Sequence, residues 1–209
     1  MNKSRSKSRN QPGGARRAAA AADAPARRDA RSPDDWIREA LRVLGEEGHG
    51  GVTPARLATR LGVTRGSFYH HFGSVEAFID AVVARWEAEG IEPGFRDAAA
   101  AGPDARTQLS HMMRFVWTRS HYLELAMRAW ALANPRVAMH LERIDRDRLA
   151  RLVALFTALT GEAARARFYA EALLFGFIGC LCSFPPPTGA DLRRRAADLE
   201  QLLQGLATR

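Results

Sequence analysis

Side chains that can bind DNA are concentrated between residues 53 and 74. No Asp or Glu lies between Thr53 and Val75, so nothing within this stretch repels phosphate. Arg65 can bind a guanine edge through two hydrogen bonds, and threonine or tyrosine hydroxyls suit phosphate contacts. The other basic side chains of this stretch are Arg56, Arg60, His70 and His71. These residue types favour a nucleic-acid contact.

Two short helices must position these side chains. Thr53 before Pro54 and the later Thr64 are N-cap residues, and Gly62 allows the tight turn between the helices. The small Ala58 lets the helices approach, and apolar residues fix their crossing angle. The pattern predicts a helix-turn-helix whose second helix reads DNA. The alternative is an ordinary packed pair of helices whose arginines only solvate a surface.

The segments VTPARLA (residues 52–58) and GVTRGSFYHHF (residues 62–72) resemble the tetracycline-repressor-like (TetR) family of bacterial regulators, with a detailed match over about residues 34–80. The resemblance implies nine or so helices with a DNA-binding head in the first three. It also implies DNA contacts at Thr53, Arg65, Gly66, Ser67, Tyr69 and His70, and a packing role for Phe72. Together, residue types and resemblance predict these DNA-binding residues: Thr53, Arg56, Thr64, Arg65, Gly66, Ser67, Tyr69 and His70.

One position departs from the family pattern. The family usually has a phosphate-binding lysine after the serine that begins the fourth helix, whereas Val75 follows Ser74 here. The first 33 residues carry nine Lys or Arg against two Asp, a net of +7 out of +8 for the whole chain. A basic arm over residues 1–31 is therefore predicted to supply phosphate contacts; the alternative is a disordered tail without a partner.

The remaining sequence predicts an all-α fold. Ser32 and Pro33 begin a first helix that ends at Gly48, and a helix from Ser74 is terminated by Gly90, Pro93 and Gly94. Further helices are predicted over residues 104–119, 121–133, 135–160, 162–184 and 190–206. The expected division is a disordered basic arm (1–31), a DNA-binding domain (32–90) and a ligand-sensing and dimerisation domain (91–209).

The C-terminal part is predicted to form a homodimer and to bind a small effector. Residues 172–184 are apolar nearly all round, and leucines at 192, 199, 202, 203 and 206 form a seam on the last helix. A flexible apolar pocket for an apolar or aromatic effector is predicted at Met112, Phe115, Met127 and Trp130. Completion of the monomer core is the alternative for both sets.

Other functions are not favoured. The sequence has no glycine-rich phosphate loop, paired carboxylate motif, nucleophile elbow or zinc-ligand spacing, so we expect no enzyme, cofactor or metal site. The two cysteines imply no disulfide framework, and the longest apolar stretch is too short for a membrane span, which predicts a cytoplasmic protein. The expected partner is double-stranded DNA, and the expected function is a ligand-released repressor binding a palindromic operator. The alternatives are a sequence-nonspecific architectural DNA-binding protein and a protein-interaction module.

Overall fold

The computed structural model describes residues 31–118 and 121–206, which form ten α-helices and one 3₁₀ turn at His49–Gly51 without a strand. The predicted all-α fold is confirmed. The helices are α1 (Pro33–Glu47), α2 (Pro54–Leu61), α3 (Arg65–Phe72), α4 (Val75–Gly90), α5 (Glu92–Ala100), α6 (Ala105–Thr118), α7 (Tyr122–Ala133), α8 (Pro135–Thr160), α9 (Ala163–Leu181) and α10 (Gly189–Leu206). The predicted basic arm lies outside the described residues, apart from Arg31.

The predicted caps set the helix boundaries around the helix-turn-helix. The Ser32 hydroxyl accepts from the backbone N–H of Asp35, whose carboxylate accepts from the Ser32 N–H at 2.9 Å, closing a capping box. Thr53 caps α2 by accepting from the Arg56 N–H. Gly62 ends α2 in the left-handed conformation (φ 70°), where a side chain would be strained.

The sequence analysis missed α5. Gly90 ends α4 as expected, but Pro93 and Gly94 lie inside a new helix instead of closing the segment. Proline is compatible with the first turn of a helix because backbone N–H groups there have no acceptor within the helix, so the N–H that proline lacks is not needed. Gly94 brings α5 against α6: a Cβ on this residue would lie 2.6 Å from the Phe115 ring. The predicted helix over 162–184 also ends earlier, at Leu181.

Two clusters of buried side chains form the core. The first centres on α1 to α4 and includes Trp130 of α7 and Val137 of α8. The second joins α6, α8, α9 and α10 around Leu109, Phe156 and Leu174. Because the first cluster crosses residue 90, the proposed units 32–90 and 91–209 share part of one core.

Ion pairs join α4 and α5 to α8. Asp80 binds Arg136 at 2.5 Å, Glu87 binds Arg143 at 2.5 Å, and Glu92 binds Arg151 at 3.0 Å. The acidic partner is always on α4 or α5, and the order of the pairs shows that α4 and α8 run in the same direction along this face. The head (α1 to α4) is thus attached at two successive points to α8, the longest helix of the body (α5 to α10), and the third pair joins α5 to the same helix.

Candidate functional site

Helix α3 is held in place by one aromatic side chain. Phe68 is fully buried, and its ring packs against Trp36 of α1 (5.4 Å between centroids) and Phe78 of α4 (4.9 Å). Phe72 contacts both Phe68 and Phe78. Such edge-on contacts define the orientation of the rings. Because α1 and α4 clamp Phe68, the opposite side of α3 projects outward in a fixed direction.

That outward side carries the predicted reading residues. Thr64, Arg65, Gly66, Tyr69 and His70 are exposed, and Ser67 is half-buried. The Arg65 guanidinium donates to the Tyr69 hydroxyl at 3.3 Å and lies 5.8 Å from the Tyr69 ring. A guanidinium held by a neighbouring ring loses less rotational freedom on binding, which suits it to the contact with a base edge.

Gly66 has room for a side chain that it does not carry. A Cβ there would meet only the Thr64 hydroxyl, at 3.7 Å, which is ordinary contact. Glycine inside a helix costs about 0.5–1 kcal/mol relative to alanine. Intramolecular packing therefore does not explain this glycine, and the first turn of α3 leaves room for close approach of another molecule.

The arginines of α2 are paired with carboxylates, which the acid-free stretch of sequence did not predict. Arg56 forms an ion pair with Glu47, and Arg60 binds Glu39 at 2.6 Å as well as Glu47. The carboxylates come from α1 and were missed because the acid-free stretch was considered alone. Their spacing along α1, at residues 39, 46 and 47, places them on one helix face and was the available signal.

The glutamates at 39, 46 and 47 face the arginines at 42, 56 and 60, so the charges of the α1–α2 cluster balance. Burial alone would raise the pKa of Glu39, but hydrogen bonds and charges from Arg42 and Arg60 outweigh it and lower the pKa. Arg56 is thus a partly compensated cation, while Arg65 has no carboxylate partner among the described residues.

A cavity of about 280 Å³ lies in the body, between α4, α5, α6, α7, α8 and α9. Five aromatic rings contribute to its wall: Trp86, Phe95, Phe115, Trp117 and Phe177. The cavity is also lined by Met112, His121, Glu124 and Arg148. The position between helices and the mixture of aromatic and few polar groups are typical of small-molecule sites.

The structure divides the four predicted effector residues. Met112 and Phe115 line the cavity, but Met127 and Trp130 do not. Met127 and Trp130 are buried in the first core cluster, against the head. The physical reason is their position along α7: residues 123 and 124 in its first turn line the cavity, whereas Met127 and Trp130 lie one and two turns further along the helix, in the core shared with the head. Of the four predicted effector residues, Met127 and Trp130 therefore lie outside the wall of this cavity.

The polar part of the cavity wall is a buried ion network that the sequence analysis missed. Glu124 of α7 is 6% exposed; its two oxygens accept from Arg148 of α8 at 2.9 Å, and Oε1 also accepts from Arg128 at 2.6 Å. Arg128 also binds Asp145 at 2.8 Å. Burial would raise the pKa of Glu124, but the two guanidinium groups outweigh it and lower the pKa.

Helix α9 exposes an apolar face. Phe168 is 66% exposed and Phe175 56%, and Ala172 and Gly179 are exposed on the same helix face. A Cβ at Gly179 would meet nothing within 4 Å. On α10, Leu203 is buried within the monomer but its neighbour Leu202 is exposed. The predicted dimer residues therefore comprise both core side chains and surface side chains.

Two further observations concern other classes of site. Within residues 31–118 and 121–206, no group of three His, Cys, Asp or Glu is placed to hold a metal ion. No helix in that part of the chain combines the length and apolarity needed to cross a membrane.

Comparison with known proteins agrees with the geometry of the head. Residues 37–82 match the family model described as bacterial regulatory proteins, tetR family. The chain is 28% identical over 141 residues to the HTH-type transcriptional regulator BetI of Stenotrophomonas maltophilia, covering 68% of this chain and 71% of that protein. It is 42% identical over 57 residues to the class A tetracycline repressor protein from transposon 1721 of Escherichia coli, covering 27% and 26% of the two chains.

A solved structure extends the agreement to the fold of both parts. Salmonella enterica GusR superposes with a TM-score of 0.65 at 22% identity, covering 85% of this chain and 95% of that one. The matched segment contains α2 and α3, with Phe68 buried and Arg65 exposed. Residues 37–82 therefore carry the helix-turn-helix region of the tetR family of bacterial regulatory proteins, and about two thirds of the chain is similar to an HTH-type transcriptional regulator.

Proposed function

We propose that the protein binds a palindromic operator as a homodimer and represses transcription until a small apolar or aromatic effector releases it. The observation that carries the proposal is the packing of α3. Phe68 is buried against α1 and α4 and holds the helix, while Arg65, Gly66 and Tyr69 are exposed. A rigid helix with donors on its free side is what major-groove recognition requires.

The proposed DNA contacts divide by type. Arg65 is the candidate for reading a base, with Ser67 and His70 beside it, while Thr53, Thr64 and Tyr69 suit phosphate. Arg56 is a weaker candidate because Glu47 already neutralises part of its charge. The basic arm over residues 1–31 is proposed to add phosphate contacts in place of the missing lysine at position 75.

The proposed dimer uses the exposed face of α9. Two large aromatic side chains and two small residues on one face form a surface on which a second copy can pack closely. A symmetric dimer also meets the functional need, since one reading helix contacts few base pairs and two heads give affinity and palindrome specificity.

The effector is proposed to act through α4. Trp86 and Gly90 of α4 line the cavity, and the start of the same helix directly follows α3. A ligand that fits the cavity better when α4 is displaced shifts the population towards heads that no longer match the operator. The ligand must have different affinities for the two states, because equal affinities shift nothing.

The DNA-binding proposal is tested by selection from randomised duplexes at moderate salt, followed by binding measurements on the enriched sequence. We expect an enriched inverted repeat. Arg65→Ala should weaken binding by about 1–3 kcal/mol and relax specificity at one base pair of each half-site. Arg96→Ala, on the exposed surface of α5, is the control and should leave binding unchanged. Binding without an enriched repeat would favour an architectural role instead.

The dimer proposal has a separate test in the mass measured by light scattering. Phe175→Glu places one charge from each copy in the proposed apolar interface and should yield monomers, whereas Leu132→Glu changes a still more exposed apolar residue of α7 and should leave dimers. A dimer that survives Phe175→Glu but not Leu132→Glu would move the interface to α7.

A further inference from the structure

The cavity wall has a feature that apolar packing does not explain, the guanidinium of Arg148, whose side chain is only 11% exposed and which has unused donors. Arg148 donates to Glu124 through Nη1 and Nη2, both at 2.9 Å, and more weakly to Asp145 at 3.4 Å. Guanidinium has five N–H donors. Among the residues that the structure describes, three donors therefore have acceptors, and two are left for a ligand.

The carboxylates beside Arg148, in contrast, already accept several hydrogen bonds. Oε1 of Glu124 accepts from Arg128 twice and from Arg148 once, and Oε2 accepts from Arg148. Asp145 is engaged by Arg128 through both oxygens. The polar wall of the cavity thus offers donors from Arg148 and little acceptor capacity from Glu124.

The charge of this network selects against ionic ligands. Arg128 and Arg148 balance Glu124 and Asp145, so the network is neutral. An anionic ligand would bring an uncompensated charge next to the Glu124 carboxylate, and a cationic ligand would face Arg148. The remaining acid of the wall, Glu89, is exposed and binds Arg85 at 3.1 Å.

The rest of the wall selects for flat rings. Trp117 and Phe177 meet edge to face at 5.5 Å, and His121 meets Phe177 at 4.8 Å. The Arg148 guanidinium lies 5.7 Å from the Trp86 ring, so its donors are next to aromatic surface. A volume of about 280 Å³ suits a compound smaller than a typical drug, with about a dozen non-hydrogen atoms.

We infer that the effector is a neutral, flat aromatic compound carrying a hydrogen-bond acceptor, such as a ketone oxygen, that binds the free N–H groups of Arg148. This inference rests on the proposed role of the cavity as the effector site. It names Arg148 as the residue that determines ligand specificity and Glu124 as the residue that positions Arg148.

The test compares four probes with the same naphthalene ring system by calorimetry on the full-length protein: naphthalene, 2-acetylnaphthalene, 2-naphthoate and (2-naphthylmethyl)trimethylammonium. They differ in having no acceptor, a neutral acceptor, an anion and a cation. We expect the ketone to bind at least about tenfold more tightly than naphthalene, since a hydrogen bond to a charged donor contributes that much. Both ions should bind more weakly than the ketone.

Arg148→Lys keeps the positive charge against Glu124 but replaces the planar fork with a single ammonium. The ratio of ketone to naphthalene affinity should fall towards one in this variant. The ratio is the informative quantity, because a loosened cavity weakens both compounds alike. Arg146→Lys, on the exposed side of α8, is the matched control and should leave the ratio unchanged.

Each outcome decides a different question. Tightest binding by the naphthoate or the ammonium compound, or equal binding of ketone and naphthalene, would overturn the neutral-acceptor inference and leave the cavity as an effector site. Failure of all four probes, with operator binding intact, would overturn the inference together with the proposed effector role of the cavity. The DNA-binding proposal would stand in either case, because its own test uses no ligand.

Discussion

The head and the body of the molecule are packed in different ways. Around α3, Phe68 is enclosed by Trp36, Phe72 and Phe78, with neighbouring rings about 5 Å apart and Phe68 fully buried. In the body, rings of similar size border a cavity of about 280 Å³. A closed aromatic core keeps the reading helix rigid, whereas an open aromatic wall keeps space for a ligand and forgoes packing energy.

The ion pairs also differ between the two regions, in their exposure to solvent. In the head, the Glu46–Arg42 pair is at the surface, with the Glu46 side chain 52% exposed. In the body, Glu124 is buried between two arginines. Exposed pairs contribute little to stability, and buried pairs are costly to form and costly to break. The body therefore combines loose apolar packing with a polar network that tolerates little change.

The largest expected effect comes from the closed core. Phe68→Ala should lower the free energy of unfolding by about 3–5 kcal/mol, because the cavity it creates is surrounded by fixed rings. Phe115→Ala removes a half-buried ring that already borders open space, and should cost less than half as much. Urea unfolding at one fixed protein concentration measures both. Equal losses would show that the cavity collapses in solution and that the two regions pack alike.

The polar network is the next contrast. Glu124→Gln leaves Arg128 and Arg148 with one carboxylate between them, and should destabilise the protein by about 3–5 kcal/mol. Glu46→Gln makes the same chemical change at the surface of α1 and should cost about 0–1 kcal/mol. Thermal unfolding of the two variants side by side is sufficient. A small loss for Glu124→Gln would mean that water reaches this network.

The same difference explains how much could be predicted from the sequence. The helix-turn-helix is local: Thr53 and Gly62 act within a few residues of themselves, and Thr64 takes the N-cap position of α3 although its side chain makes no capping hydrogen bond. Their positions predict helix boundaries that the structure confirms. The exposure of Arg65 and the burial of Phe68 agree with their residue types, one charged and one aromatic. The first four helices and the resemblance to the TetR family could therefore be recognised from the sequence alone.

The body depends on contacts between distant residues. Glu124 and Arg148 are 24 positions apart, and no local pattern links them. Met127 and Trp130 have the residue types of a pocket wall, yet they lie further along α7 than the cavity and pack in the core shared with the head. Helix α5 was missed because Pro93 and Gly94 are breakers in a local sense, whereas here they begin a helix and let it approach Phe115.

Two glycines of the head, Gly66 and Gly62, should respond in opposite ways to replacement by alanine. Gly66→Ala should stabilise the protein by up to about 1 kcal/mol, because the helix gains a better helix former and a Cβ has room. The same change should weaken operator binding if the DNA backbone approaches this turn. Gly62→Ala should instead destabilise the fold by about 1 kcal/mol, since Gly62 has φ 70°. Unchanged operator affinity in Gly66→Ala would remove Gly66 from the DNA contact.

The smallest effect concerns the boundary between the two regions, at Asp80. Hydrogen bonds from Arg136 and His140, which outweigh partial burial, lower the pKa of Asp80 to about 2, against an ordinary value of 3.8. A carboxyl group whose pKa is lower in the folded state stabilises the fold above pH 4, and this contribution is lost as the pH falls towards 2.

Asp80→Asn should therefore be less stable than the parent at pH 5 and equal to it near pH 2. The difference should be small, because the Asp80 side chain is 36% exposed and water screens the pair. Asp97→Asn, at a more exposed carboxylate of α5, is the control and should show no difference at either pH. Urea unfolding from pH 2 to 6 measures the curves. A constant gap between parent and Asp80→Asn would mean that the contribution of Asp80 to the pairing of α4 with α8 does not depend on its charge.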